Sequence, residues 1–287
     1  MNNLFFGSSK FSVIVFEALY SRGFPPKAVI TSKEKPRGRG MRLTPTPVMA
    51  WALEKKIPVI TNLDELRGIS FTPDVSIIAS YREILPKEII SLPKYGTLNV
   101  HPSLLPKFRG PSPIQSIILS GEKETGVTII LTERKVDHGP IIASRKLEIA
   151  GLKPTYKELE RKLAELGGEL ISEILPEWIE GKVKPVEQNH KEATYTRMIK
   201  KEDGLITWRE SPEEIDRKVR AYTPWPSAYF FISRKDNLFP DFRVIITKTK
   251  IDNNKLILDT VKPEGESEMT FDRFLKKYPG AMRQIVP

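Results

Sequence analysis

Asn99 and His101 stand two residues apart at the end of the run Thr97–His101, and "PSLLPKFRGPSP" follows at once. Side chains alternate across a strand, so a strand here puts Asn99 and His101 on one face and Leu98 and Val100 on the other. An amide N–H donates to a developing oxyanion. An imidazole donates a hydrogen bond or moves a proton near neutral pH. Pro102 and Pro106 fix φ around Ser103, Leu104 and Leu105, which predicts a stiff apolar rim of the kind a flat ligand needs. A carboxylate would complete such a site, and Asp137 in "TERKVDHGPII" is the candidate, closing a strand-like run before a Gly-Pro turn. A carboxylate beside an imidazole orients it and tunes its protonation. Each residue also suits a structural role, His101 as a satisfied histidine and Asp137 as a turn residue. Spacing alone does not bring them together.

The elements that must position these groups follow from periodicity. The first half alternates short apolar runs with amphipathic stretches. Strands are predicted at Asn3–Phe6, Lys27–Thr31, Pro58–Thr61, Val75–Ala79 and Thr97–His101. Helices are predicted at Phe11–Arg22 and Pro45–Lys56. This alternation predicts βαβ units and a mostly parallel, Rossmann-like α/β sheet. In such a sheet the C-terminal ends of central strands open into the ligand crevice, which is where Asn99 and His101 would stand. Two further strands, Gly126–Thr132 and Ile141–Ile149, are joined by a short loop. A long helix, Tyr156–Glu180, carries Leu159, Leu163, Leu166, Leu170, Ile174 and Leu175 at helical spacing.

The texture then changes. Residues 1–185 read as one α/β domain and residues 186–204 as a polar linker. Residues 205–287 read as a smaller β-barrel of oligonucleotide-binding type, with a helix at Pro212–Ala221 and strand-like runs at Ser227–Ser233, Phe242–Thr249 and Lys255–Thr260. "TPWPSA", Thr223–Ala228, is a rigid aromatic turn that suits either a contact between domains or simple packing.

Composition narrows the chemistry. The chain has no cysteine, which excludes disulfides, thiol nucleophiles and thiolate-bound zinc. Its three histidines, His101, His138 and His190, show no metal-ligand spacing, so no metal is expected. No apolar stretch reaches the roughly 18 residues of a membrane span, and the N-terminus lacks a signal peptide's pattern, so a cytoplasmic protein is expected. The net charge of +10 suits a polyanionic partner such as RNA. "KEKPRGRGMRL", Lys33–Leu43, sets Lys33, Lys35, Arg37, Arg39 and Arg42 against one acid, Glu34. It lacks the spacing of a P-loop or a dinucleotide fingerprint. It reads either as a solvated surface loop or as a cationic loop able to track phosphates.

The stretch "NVHPSLLPKFRGPSPIQSIILSGEKETGVTIILTERKVDHGPII" closely resembles the formyltransferases that use 10-formyltetrahydrofolate. "LFFGSSKFS", "TSKEKPRGRGMRLTPTPVMAWALEKKIPV" and "ATYTRMIKKEDGLITWRESPEEIDRKVRAYTPWPSAYF" extend the resemblance, in order, to about Phe231. The basic insertion and second domain are similar to those of members acting on tRNA. The resemblance implies that Asn99, His101 and Asp137 are the catalytic set and 10-formyltetrahydrofolate the formyl donor. The acceptor would be methionyl initiator tRNA and the protein a monomer. It also implies that the folate lies along Ser103, Leu104, Leu105 and Pro106, with a second wall from "SYREILP" in which the backbone of Ile84 and Leu85 reads the pterin edge. Without the resemblance both segments read as packing. Arg39 falls on the family's key tRNA-contacting arginine, with Arg37 and Arg42 beside it. The sequence departs from the family at Ser8, Ser9 and Lys10, at Pro111 and Ser112, and at Arg82 and Glu83. Rival readings within the family are an enzyme with a sugar-nucleotide or glycinamide ribonucleotide acceptor and a formyl-folate hydrolase. Outside it, a non-catalytic RNA-binding protein uses the charge but leaves the Asn99–His101–Asp137 set unexplained.

Overall fold

The computed structural model describes residues 1–37, 42–232 and 241–281, with the side chains of 35–37 and 42 outside that description. The chain divides into two compact units. The first comprises Met1–Pro113, Glu124–Ile149 and Leu159–Thr196; the second comprises Ile114–Lys123, Ala150–Glu158 and Arg197–Pro287.

The first unit is built on β1 (Asn3–Gly7), α1 (Lys10–Ser21), β2 (Pro26–Ile30), β3 (Lys35–Arg37), β4 (Arg42–Thr44), α2 (Pro47–Glu54), β5 (Val59–Ile60), β6 (Val75–Ala79), α3 (Lys87–Ile90) and β7 (Thr97–His101). After α4 (Pro113–Ser120), which falls almost wholly in the second unit, come β8 (Glu124–Leu131), β9 (Ile141–Glu148) and α5 (Tyr156–Ile179). Seven strands form one sheet in the order β5-β2-β1-β6-β7-β8-β9. The first five run parallel, and β8 and β9 complete the sheet antiparallel. This is the expected mostly parallel α/β architecture. The chain works outward from β1 through β2 to β5, then returns to β6 and β7 on the other side. That reversal creates the topological switch at which such sheets bind ligands.

Local chemistry explains the elements. β1 and β6 are buried along their whole length, so apart from Asn3 and Ser76 they are built of apolar residues and glycine without alternation. Ser9 caps α1, its side chain accepting from the Ser12 N–H. Thr46 caps α2 with Pro47 in the first turn. α5 packs through Gly167, where a Cβ would come within 2.7 Å of Val100 Cγ1. Only a glycine lets the helix approach β7 that closely.

The second unit holds α6 (Pro212–Tyr222), β10 (Ala228–Ile232), β11 (Phe242–Asp252), β12 (Lys255–Pro263), β13 (Met269–Thr270) and α7 (Phe271–Lys277). Its described strands form an antiparallel sheet in the order β10-β11-β12-β13, in the region where the sequence predicts a smaller β-barrel. Ser211 and Glu214 make a capping box at the start of α6. Ile215 and Val219 of this helix join Phe230, Val244, Ile246, Val261 and Phe274 in one apolar core.

Candidate active site

β7 carries Asn99 and His101 out at its C-terminal end, beside β6 on one side and β8 on the other. The loop 132–140 returns between β8 and β9 and delivers Asp137, which takes a left-handed backbone with φ of 55°. The three side chains meet. Asn99 Nδ2 donates to Asp137 Oδ1 at 3.2 Å, and His101 Nδ1 lies 3.5 Å from the same oxygen. Asp137 Oδ2 accepts from the Gly110 N–H at 2.8 Å. His101 and Asp137 are both buried.

Hydrogen-bond accounting shows how the cluster is poised. The other ring nitrogen of His101, Nε2, lies 3.0 Å from the Phe108 carbonyl oxygen. Both ring nitrogens therefore face acceptors. A neutral imidazole has one proton to give and serves one of them at a time, whereas imidazolium serves both. The ring is thus held between a carbonyl and a carboxylate. Asn99 spends one amide proton on Asp137 and keeps a second for a ligand.

The loop after His101 is rigid for reasons visible in its bonds. The Ser103 hydroxyl donates to the Lys107 carbonyl at 2.7 Å, and the Leu105 N–H donates to Thr128 Oγ1 at 3.1 Å. Ser103 and Leu105 are buried, while Leu104 and Pro106 are half-buried. The Ser103 side chain is therefore engaged in shaping the loop, not offered to solvent. In the facing segment after β6, Leu85 packs into a core with Leu4, Phe6, Ile30 and Ile89, and Tyr81 packs edge-on to Phe6. Ile84 between them is 76% exposed. Burial and the neighbouring Glu83 push the Tyr81 phenol well above its ordinary range, so it stays protonated.

The basic loop is a ribbon. β3 and β4 pair antiparallel with Arg37 opposite Arg42 at the end of the ladder. Arg39, expected to be its key residue, lies outside the described residues, as do the side chains of Arg37 and Arg42. Among the described residues no group of three or more histidines and carboxylates is placed to hold a metal. No described helix is long and apolar enough to cross a membrane.

Sequence reasoning missed a second layer behind Asp137. Arg109 is fully buried. Its Nε and Nη2 donate to Gln188 Oε1 at 3.2 and 2.5 Å, Nη2 also meets His190 Nδ1 at 2.9 Å, and Nη1 meets the Tyr195 hydroxyl at 3.2 Å. Gln188 is buried too, and its amide donates to the Asp137 carbonyl at 2.9 Å and the Gly139 carbonyl at 2.7 Å. An arginine only donates, so His190 Nδ1 and the Tyr195 oxygen accept. The Tyr195 proton then goes to His138 Nε2, 3.1 Å away. The His138 and His190 rings stack with centroids 5.3 Å apart. Burial lowers the affinity of His138 for a proton, and Arg109 and His190 beside it lower it further. No local pattern marks these residues. Arg109 looks like any basic loop residue, and Gln188 lies in a polar stretch that reads as linker. The one available signal was their place in the sequence, Arg109 within the "PSLLPKFRGPSP" stretch already singled out and Gln188 five residues before "ATYTRMIKK".

A Rossmann-like sheet with an Asn, a His and an Asp converging at the end of its fifth parallel strand is an arrangement chemically suited to group transfer. Residues 1–175 match the formyl transferase family and residues 198–256 match its C-terminal domain. The chain belongs to the formyl transferase family and is an enzyme of that class. It is 41% identical over 241 residues to the methionyl-tRNA formyltransferase of Chloroflexus aurantiacus, which covers 80% of this chain and 76% of the relative. In fold it is similar to the crystal structure of the Helicobacter canadensis N-formyltransferase in complex with folinic acid and dTDP-3-aminofucose. The TM-score is 0.67 at 20% identity, covering 91% of this chain and 94% of that one. It is also similar to the methionyl-tRNA formyltransferase from Clostridium thermocellum, with a TM-score of 0.58 at 20% identity, covering 92% and 99%.

Proposed function

We propose that this enzyme transfers the formyl group of 10-formyltetrahydrofolate to the amino group of methionyl initiator tRNA. The observation that carries the reaction is the convergence of Asn99, His101 and Asp137 at the C-terminal end of β7. The acceptor is carried by the relatives' names together with the basic ribbon, β3–β4. The amine nitrogen attacks the formyl carbon, and the carbonyl electrons move onto oxygen. The second Asn99 amide proton stabilises that oxyanion, joined by the His101 Nε2–H as it exchanges the Phe108 carbonyl for the developing charge, while Asp137 orients the imidazole through Nδ1. Collapse breaks the bond to the folate nitrogen, which takes the proton that the amine gives up. One positioned oxyanion donor contributes roughly 3 kcal/mol.

The folate lies between the Ser103–Pro106 loop and the Ile84–Leu85 segment. The exposed Ile84 side chain supplies an apolar face. The Leu85 side chain is committed to the core, so Leu85 contributes backbone groups. Ser103 acts by fixing the loop, and Leu104 and Pro106 form its rim. Arg37 and Arg42, paired at the end of the β3–β4 ladder, and Arg39, which lies outside the described residues, contact the tRNA acceptor end. No metal takes part. The protein works as a monomer in the cytoplasm.

The test is transfer of labelled formyl from 10-formyltetrahydrofolate to purified methionyl initiator tRNA, with glycinamide ribonucleotide and an amino-sugar nucleotide run in parallel. Formyl-methionyl-tRNA as the amine product supports the reading. Product from a small acceptor alone, or only free formate, sinks it.

A further inference from the structure

The reaction centre is held from behind by groups that touch no substrate. Asp137 sits in the left-handed region, where a residue with a side chain is under strain unless its surroundings fix it. Its carboxylate is aimed by the Gly110 N–H, but its backbone is fixed elsewhere. The Gln188 amide bridges the carbonyls of Asp137 and Gly139, two residues apart, and so clamps the turn that gives Asp137 its direction. Gly139 leaves that turn no slack, since a Cβ there would fall 1.8 Å from the Leu131 carbonyl oxygen.

Gln188 is in turn fixed by a charge. Both its bonds to Arg109 fall on one oxygen, which forces the amide nitrogen toward the Asp137 turn and removes the flipped orientation. Arg109 makes no ion pair among the described residues. Its partners are a glutamine, a tyrosine and a histidine. A fully buried guanidinium served only by neutral acceptors is costly, and hydrophobic packing would serve stability better. The arrangement has a geometric consequence that packing would not supply. Arg109 lies between Phe108, whose carbonyl meets His101 Nε2, and Gly110, whose N–H meets Asp137 Oδ2. The backbone of Arg109 is itself pinned by Thr194 and Thr196, with its N–H on the Thr194 carbonyl at 2.9 Å and its carbonyl accepting from the Thr196 N–H at 2.7 Å. One three-residue segment therefore sets both partners of the imidazole–carboxylate pair, and its middle side chain reaches round to set the carboxylate's backbone.

We infer that Gln188, locked in orientation by Arg109, is a positioning residue for Asp137 and hence for His101. This rests on the catalytic assignment proposed above. Gln188 adds rate by holding the pair in its working geometry, and does not bind either substrate. Misplacement of a catalytic group by about 1 Å costs on the order of 100-fold in rate.

The decisive variant is Gln188→Glu. It keeps an oxygen for Arg109, now as an ion pair, but sets a carboxylate against the two carbonyl oxygens that the amide served. Gln188→Met, of similar length, removes the donor and the acceptor together. Each would be followed by melting temperature, by kcat and KM for both substrates, and by the ring-nitrogen NMR signals of His101. With three histidines in the chain, those signals are assignable by single substitution. In Gln188→Glu we expect a folded protein with kcat lowered roughly 10- to 100-fold, KM for folate and tRNA within about threefold, and displaced His101 signals. Unchanged kcat with coincident His101 signals overturns the inference, as does loss of the fold in both variants, which would make Gln188 purely structural. The NMR readout does not depend on the acceptor. If the wild type formylates no tRNA but the His101 signals still move, the acceptor reading falls and the positioning role stands. If the wild type formylates tRNA and Gln188→Glu matches it, the reverse holds.

Discussion

Two buried aspartates, one in each unit, are held in opposite ways. Asp137 is bound by an asparagine amide, a backbone N–H and an imidazole. Asp216 on α6 is bound by Arg220 Nε at 2.8 Å and by the Thr249 hydroxyl of β11 at 2.8 Å, while Arg220 Nη1 reaches the Pro154 carbonyl at 3.0 Å. In the second unit a permanent cation neutralises the carboxylate, and the pair staples a helix to a strand and to the turn at Pro154. In the first unit the guanidinium that could have done this, Arg109, is kept off the carboxylate and spent on Gln188. A carboxylate with a fixed counter-ion is a fastener. One held by an imidazole and neutral donors, with no fixed counter-ion, is free to respond to charge developing beside it.

The comparison breaks most sharply by removing the charge at each place. Asp137→Asn should lower kcat on the order of 1,000-fold while leaving the melting temperature within a few degrees, since its bonds are to neutral groups. His101→Ala should do the same and leave tRNA affinity within about threefold, read by filter binding. If either variant retains more than a tenth of wild-type kcat, the Asn99–His101–Asp137 cluster is not the reaction centre. Asn99→Ala removes one oxyanion donor and should cost roughly 100-fold.

The part of this site that lies on one strand was legible because its logic is local, whereas Asp137 was joined to it only by the family resemblance. The strand period places Asn99 and His101 on one face, and the Pro-flanked loop announces a rigid rim. The mostly parallel sheet that holds β1, β2, β6 and β7 followed from alternating apolar runs, though the order of its strands did not. The supporting layer was illegible for an equally physical reason. Gln188 lies 51 residues from Asp137 and Arg109 lies 79 from Gln188, and nothing in a polar stretch says which polar side chain the fold will bury. Burial of an arginine is decided by loops meeting in space, not by its neighbours in sequence. The helices α4 and α7 also escaped notice. α7 is short and amphipathic in a stretch of mixed charge, and its identity comes from packing Phe274 into the second unit's core.

Asp216→Asn tests the other half of the comparison. It leaves Arg220 a weaker partner in a largely buried place, and loss of a hydrogen bond to a charged group costs about 1.5 to 3 kcal/mol. Denaturant unfolding should show a loss of about 2 kcal/mol with kcat within about twofold. A variant that keeps its stability but loses activity would mean that Asp216, not only Asp137, takes part in function, and the contrast between fastener and responder would fail.

The smallest expected effect concerns the ring next to Asp137. His138 is a weaker base than an ordinary histidine because burial, Arg109, His190 and Lys135 all oppose a charge there, and Asp137 offsets this only in part. The unfolded chain therefore binds a proton near pH 6.5 that the folded chain resists. Below that pH the unfolded state holds more protons, so stability must fall as pH falls and must be unaffected by His138 above it. Protonation also puts an N–H on Nε2, opposite a Tyr195 hydroxyl whose oxygen already accepts from Arg109. Replacing His138 by Asn removes the titration without adding charge. The melting temperature of the wild type should drop more steeply than that of His138→Asn between pH 7 and about pH 5.5, and the two curves should run parallel above pH 7. Parallel curves throughout would mean that the folded chain accepts the proton freely, and that the neutral relay from Arg109 through Tyr195 to His138 does not hold behind the catalytic turn.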